Sequence, residues 1–206
     1  MGTRGAAVSR ARRGYLRFVS APLLRTARLT LRPPNLDDLD GWYAFVRDET
    51  AMTHLGGETL SRHEAWRQLC TMAGSWQVQG YGMFSVIETA TGEWVGRIGP
   101  WQPADWAGPE VGWGLRTAFA GRGYAYEAAA ASMDYVVDVL GWPRIIHTIV
   151  PENTRSIALA RRLGSTNHGS TRLPPPLQDV PVDSWEQTAA QWRARRSAAG
   201  AAGAAS

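Results

Sequence analysis

The strongest chemical signal in this chain is Gly121-Arg122-Gly123, set between a strand-like run, Glu110 to Leu115, and a long helical pattern. Glycines let a backbone approach a ligand closely. The free N–H groups at a helix start, with the helix dipole behind them, suit phosphate oxygens. The segment therefore reads as a pyrophosphate cradle, and equally, on these residues alone, as a tight turn. It is not a dinucleotide fingerprint, because no third glycine follows at the required spacing, and no Gly-Lys-Ser/Thr makes it a P-loop. Other reactive side chains read more plainly. Cys70 falls at helical spacing with Trp66, Leu69, Ala73 and Trp76, as a small core residue. His147 sits mid-strand and reads as a core histidine, and His54 and His63 as surface-loop residues. Asn153 is placed to cap a helix. No His or Cys pair has metal-ligand spacing, so no metal is expected.

These residues must be positioned by alternating strands and helices. Leu29 to Arg32 reads as a strand stopped by Pro33-Pro34. Asn35 caps a helix with Asp37 and Asp38 in its first turn and Leu36, Leu39, Tyr43 and Val46 on its inner face. Ser61 to Glu64 is a capping box opening the helix of Cys70. Gly82 to Glu88 and Trp94 to Trp101 flank a Thr91-Gly92 turn as a hairpin. Ala128, Ser132, Tyr135, Val136 and Val139 mark the helix after the glycine loop, which Gly141 and Pro143 end. Arg144 to Val150 is a β-branched strand, and Pro151-Glu152-Asn153 opens a short helix ending at Gly164. Two closing strands are expected around Pro174-Pro175-Pro176. The mixture argues an α/β (α+β) domain over residues 21–190.

Composition excludes several function classes. The chain has 206 residues, and its 22 basic residues are all arginine. Five of them fall in residues 1–20, which hold no acid and read as a flexible arm. The remainder carries 17 arginines against 18 acids, so no basic stripe argues for a nucleic-acid partner. One cysteine cannot form an internal disulfide, which excludes a disulfide-built secreted scaffold and favours the cytoplasm. No apolar run approaches the roughly 20 residues a spanning helix needs. Residues 191–206, rich in Ala and Gly, read as a flexible tail. The stretch Asp183 to Arg196 carries Trp185 and Trp192 at i, i+7, as a docking helix or as cover for its own domain.

Four motifs fall in order: Glu110-Val111-Gly112-Trp113-Gly114-Leu115, Gly121 to Ala128, Pro151-Glu152-Asn153-Thr154-Arg155-Ser156, and Leu163-Gly164. With the early Leu-Thr-Leu-Arg-Pro strand, this resembles the GNAT acetyltransferases across about residues 23–185, and most closely the RimJ/RimL branch, which acetylates protein N-termini. The resemblance implies a twisted mixed sheet with helices on both faces, splayed where the strand ending at Leu115 leaves Arg144 to Val150. It implies acetyl-CoA as cosubstrate, its pyrophosphate on the amides of Gly121, Arg122, Gly123, Tyr124 and Ala125. Its pantetheine arm would run in the splay, with Asn153 close by. A backbone N–H near Trp113, Gly114 or Leu115 would polarise the thioester carbonyl.

Two positions depart from the wider family. Ala120 stands where Gln or Arg often opens the loop, and Ala160 where many members carry a tyrosine acid. The RimJ/RimL pattern instead implies Glu110 as base, directly or through water, and Ser156 as the group that meets the departing thiolate. Ser156 shares a helical face with Leu159, Ala160 and Leu163. The expected acceptor is a primary amine, most readily a protein N-terminal α-amine. A small amine (polyamine, aminoglycoside or amino acid) and a non-catalytic acyl-CoA-binding module are the alternatives. Trp101, Trp106 and Trp113 wall an acceptor pocket or simply pack the core. Homodimers are common in the family, although no interface is legible here.

Overall fold

The computed structural model describes residues 22–203, so the Arg-rich arm expected over 1–20 lies outside the described residues. β1 (Leu24–Arg25) and β2 (Leu29–Arg32) begin an eight-stranded sheet. The prolines then stop the strand, and a 3-10 turn, Leu36–Asp38, leads into α1 (Leu39–Val46). Asn35 accepts from the Asp37 amide while the Asp38 carboxylate accepts from the Asn35 amide, a reciprocal cap on the start of the turn. Asp38 is itself buried, held by Arg32 at 2.7 Å and by the Ser85 hydroxyl. The expected inner face holds at Val46, which is buried, and at Leu39 and Tyr43, which pack partly buried on the same cluster as Trp42 and Phe45; it fails at Leu36, which is 68% exposed. The opening turn is 3-10, with three residues per turn, which rotates the apolar stripe away from a 3.6-residue projection.

A short α2 (Glu49–Met52) precedes α3 (Arg62–Gln79), which opens on the expected Ser61–Glu64 capping box. Its buried face is Ala65, Leu69 and Met72. Trp66 and Cys70 are exposed, so the reading of Cys70 as a core residue fails. Leu69 and Trp76 of the expected face do pack inward, Trp76 against Phe84 with ring centroids 4.9 Å apart, but Ala65 takes the inward place of Trp66, which lies against His63 with ring centroids 6.2 Å apart.

β3 (Phe84–Glu88) and β4 (Trp94–Trp101) form the expected hairpin, and β5 (Glu110–Leu115) pairs antiparallel with β4. The chain continues through a 3-10 turn, Thr117–Phe119, to α4 (Tyr124–Asp138), β6 (Arg144–Ile149) and α5 (Thr154–Leu163). β7 (Thr166–Thr171) and β8 (Val182–Thr188) close the sheet, in the order β1-β2-β3-β4-β5-β6-β8-β7. The core has two main parts. Ala128, Met133 and Val136 of α4 pack on Leu31, Val86, Ile98 and Val111 of the sheet. Trp42, Phe45, Leu69 and Met72 of α1 and α3 gather with Met83 and Trp94. Val139, expected on α4's inner face, is exposed beyond its last turn.

The flexible tail is also corrected. Ala189–Gly203 form a final helix, α6. Alanine is the best helix former, and Trp192, 3% exposed, anchors the helix by donating to Asp134 of α4 at 2.8 Å. Arg196 adds an ion pair to the same carboxylate. The span Asp183 to Arg196 is not one docking helix, since its first half is strand β8 and its second covers this domain.

Candidate active site

Among the described residues β5 and β6 are the one parallel pair of neighbours, and they meet at a single register position, Glu110 opposite Ile146. Beyond it the strands diverge. Divergence strips buried backbone groups of ladder partners, and these must be satisfied otherwise. His147 Nδ1 lies 2.7 Å from the Val111 carbonyl oxygen and Nε2 lies 3.1 Å from Ser165 Oγ. A carbonyl only accepts, so Nδ1 carries the proton and Nε2 accepts from the serine hydroxyl. Gln187 Nε2 in turn donates to Ser165 Oγ at 2.8 Å. Burial pushes the His147 pKa down to about 4, so the ring is neutral. The expected core histidine is thus also a strut of the splay.

Glu110 is the second strut. It is 6% exposed and accepts from the Thr148 amide at 3.3 Å, from the Thr148 hydroxyl at 2.9 Å and from the Trp106 indole. Burial raises its pKa above the ordinary carboxylate value; the bonds from Trp106 and Thr148 and the charge of Arg97 oppose the shift. The carboxylate at this strand end is therefore not solvated.

Two cavities meet at the splay. The first, about 430 Å³, is lined by Gly114, Leu115, Gly121, Gly123, Tyr124 and Ala125 among others. Gly121 and Gly123 have φ of 77° and 80°, the left-handed region that favours glycine. Gly123 is the N-cap of α4 and has no side chain to cap the helix, so its first amides are left for a ligand. The second cavity, about 330 Å³, is lined by Glu110, Arg97, Trp101, Trp106 and His147, with Leu173, Leu177 and Val180 from the chain before β8. His54, Leu55, Trp113, Asn153 and Ser156 line both.

Ser156 stands at this junction. Asn153 Oδ1 accepts from the Ser156 amide at 3.1 Å, so Asn153 caps α5 as expected. The Ser156 hydroxyl accepts from Trp113 Nε1 at 3.1 Å. An oxygen that accepts in this way keeps its own proton free to donate, and the acceptance polarises that O–H.

Residues 28–166 match the acetyltransferase (GNAT) domain family. The chain belongs to that family. An uncharacterized N-acetyltransferase, p20 of Bacillus licheniformis, is 30% identical over 151 residues, covering 72% of this chain and 85% of the relative. The crystal structure of an acetyltransferase from Agrobacterium tumefaciens str. C58 superposes with a TM-score of 0.71 at 32% identity, over 85% of this chain and 98% of that one. RimL, a ribosomal alpha-N-protein acetyltransferase, shares the fold at 18% identity, with a TM-score of 0.66 over 82% of this chain and 94% of its own.

GNAT acetyltransferases use acetyl-CoA, and this GNAT domain has an uncapped helix start and a groove that fit its phosphates. Most of the residues expected at the site do come together there. Arg122 does not: its guanidinium turns back to Glu88 at 3.9 Å and lies over Phe119, and the residue is not part of the groove wall. Tyr124 fixes the loop from within by donating to the same glutamate. No described group of three or more His, Cys, Asp or Glu could hold a metal, and no described helix is long and apolar enough to cross a membrane. Sequence reasoning missed Arg155, on the first cavity, and Arg97 and Thr148, on the second. For Arg97 a signal existed: a lone charge in the otherwise apolar strand Trp94–Trp101.

Proposed function

We propose that this enzyme carries acetyl-CoA in the first cavity and acetylates a primary amine seated in the second, by direct attack in a ternary complex. The observation that carries the reading is the junction: the two cavities share Trp113, Asn153 and Ser156, with a buried carboxylate on the acceptor side. The amides from Gly121 to Ala125 hold the pyrophosphate, the Arg122 side chain being directed elsewhere. A backbone N–H between Trp113 and Leu115 polarises the acetyl carbonyl. The neutral amine attacks that carbonyl carbon, and the nitrogen's surplus proton passes to Glu110. The carbon–sulfur bond breaks and the departing thiolate is stabilised by a hydrogen bond from the Ser156 hydroxyl, which keeps its proton; the proton held by Glu110 and the thiolate pass to solvent as coenzyme A leaves. A raised pKa makes Glu110 a stronger base than an exposed carboxylate.

The acceptor in this reading is an α-amine of the RimJ/RimL kind, at a protein or peptide N-terminus. A polyamine or aminoglycoside fits less well, because among the described residues Glu110 is the one carboxylate on the second cavity's wall. A polycation needs several. The exposed, unpaired thiol of Cys70 is compatible with a cytoplasmic enzyme.

The test is thiol release from acetyl-CoA, with peptides bearing Ala, Ser or Met N-termini, polyamines, aminoglycosides and free amino acids as acceptors. Mass spectrometry of the acceptor reads the added acetyl group. Acceptor-dependent release with an acetylated product is expected. Thermal stabilisation by acetyl-CoA without release on any amine would replace the enzyme by an acyl-CoA-binding module, and no stabilisation would remove the phosphate cradle.

A further inference from the structure

Arg97 is charged, half-buried and in no salt bridge among the described residues. Its position on β4 faces Gly114 of β5, beneath α1, and its guanidinium lies 6.0 Å from the rings of Trp42 and Phe45. Those rings hold the guanidinium but cannot neutralise it. Among the described residues it forms no salt bridge; Nη1 donates to Met83 Sδ at 2.8 Å, a weak acceptor, and Nε is buried with no partner. Desolvation pulls its pKa down to about 10, against the opposing charge of Glu110.

A cationic N–H that is buried without a partner is costly unless something pairs with it. Glu110 shares the cavity and its charge acts on Arg97, but the two form no salt bridge, and the Glu110 oxygens accept from Trp106 and Thr148. Arg97 lines the same cavity as Glu110, and among the described residues no other acid lines it. The unmet demand therefore falls on whatever enters.

Resting on the reading of the second cavity as the acceptor site, we propose that Arg97 binds an anionic group of the acceptor, so that the amine acetylated here carries a carboxylate. The guanidinium fork matches a carboxylate with two parallel hydrogen bonds, and lysine could not replace it fully. With the carboxylate on Arg97, the amine is left toward Glu110 and the splay. Free amino acids and peptides whose first residues include an acid both offer this chemistry. Polycations are repelled.

The test uses matched pairs that differ only in the anion: L-alanine and L-alaninamide, L-alanyl-L-aspartate and L-alanyl-L-asparagine, and 6-aminohexanoate and its carboxamide, with spermidine as the polycation. Binding to the full chain with coenzyme A present is read by calorimetry, and acetyl transfer by thiol release. In at least one pair the carboxylate should bind about 10- to 100-fold tighter than its neutral partner. Arg97→Gln should erase that ratio, and Arg97→Lys should restore part of it. The ratio within each variant cancels any change that Arg97 imposes on Glu110 or on folding. Which pair responds separates a free amino acid from an acidic peptide. Equal binding within every pair of the wild type, or a preference for spermidine, would overturn the proposal even if no variant folded. A carboxylate preference without thiol release would leave the anion site standing and remove the acetyl-transfer reading instead.

Discussion

At the scale of single residues, the account turns on a serine whose hydrogen bonds are already arranged. Ser156 accepts from Trp113 and keeps its own proton for a leaving thiolate. Ser156→Ala should lower kcat by about 10²-fold, the usual size of a positioned acid or base. Trp113→Phe removes the indole N–H alone and should cost about tenfold, the worth of one hydrogen bond. In the Ser156→Ala background the Trp113 change should cost far less, because the two residues act as one unit. Steady-state kinetics on the double-mutant cycle reads this directly, and additive losses would show that Trp113 acts independently of Ser156.

At the scale of elements, the defining feature is a sheet held apart by its own side chains. β5 and β6 separate after one register pair, and His147 and Glu110 satisfy the backbone groups this frees. His147 links the splay to stability. Its folded pKa, about 4, lies below the ordinary value of 6.5, so the unfolded chain takes the proton first. The stability it contributes is complete above pH 6.5 and is lost as pH falls toward 4, by about 3 kcal/mol in all. Glu110 acts in the opposite sense, because protonation relieves the cost of its buried charge. Chemical denaturation across this range should show wild-type stability falling by more than that of His147→Gln, and parallel curves would contradict the strut. Local rules made much of this legible in the sequence: the capping signals of Asn35, Ser61 and Asn153 and the bounds of β5 were plain. The inner faces of α1 and α3 were legible only in part: Val46, Leu69 and Trp76 turn inward as expected, but Leu36, Trp66 and Cys70 do not, because a 3-10 turn and packing across the sheet shift the phase. The unpartnered Nε of Arg97 was equally hidden, since it depends on contacts made in three dimensions.

At the scale of the whole molecule, α6 closes the domain on the α4 side, remote in its contacts from both cavities. Trp192→Ala removes a buried ring and leaves Asp134 without its indole donor. A loss of about 3–5 kcal/mol is expected, which for a domain of this size lowers Tm by roughly 6–20 °C. The KM for acetyl-CoA should be unchanged at a temperature where the variant stays folded, and a shift in KM would mean that α6 reaches the site. The central claim, that the buried carboxylate at the cavity junction is the base, is tested most directly by the pH dependence of kcat/KM for wild type and Glu110→Gln. Activity of the wild type should rise with pH through a limb above the ordinary carboxylate value of 4.5, because only the ionised form accepts the amine's proton. Glu110→Gln should be about 10²- to 10⁴-fold slower and lack that limb. A variant within about threefold of wild type that keeps the same profile would contradict the account and leave proximity as the source of the rate.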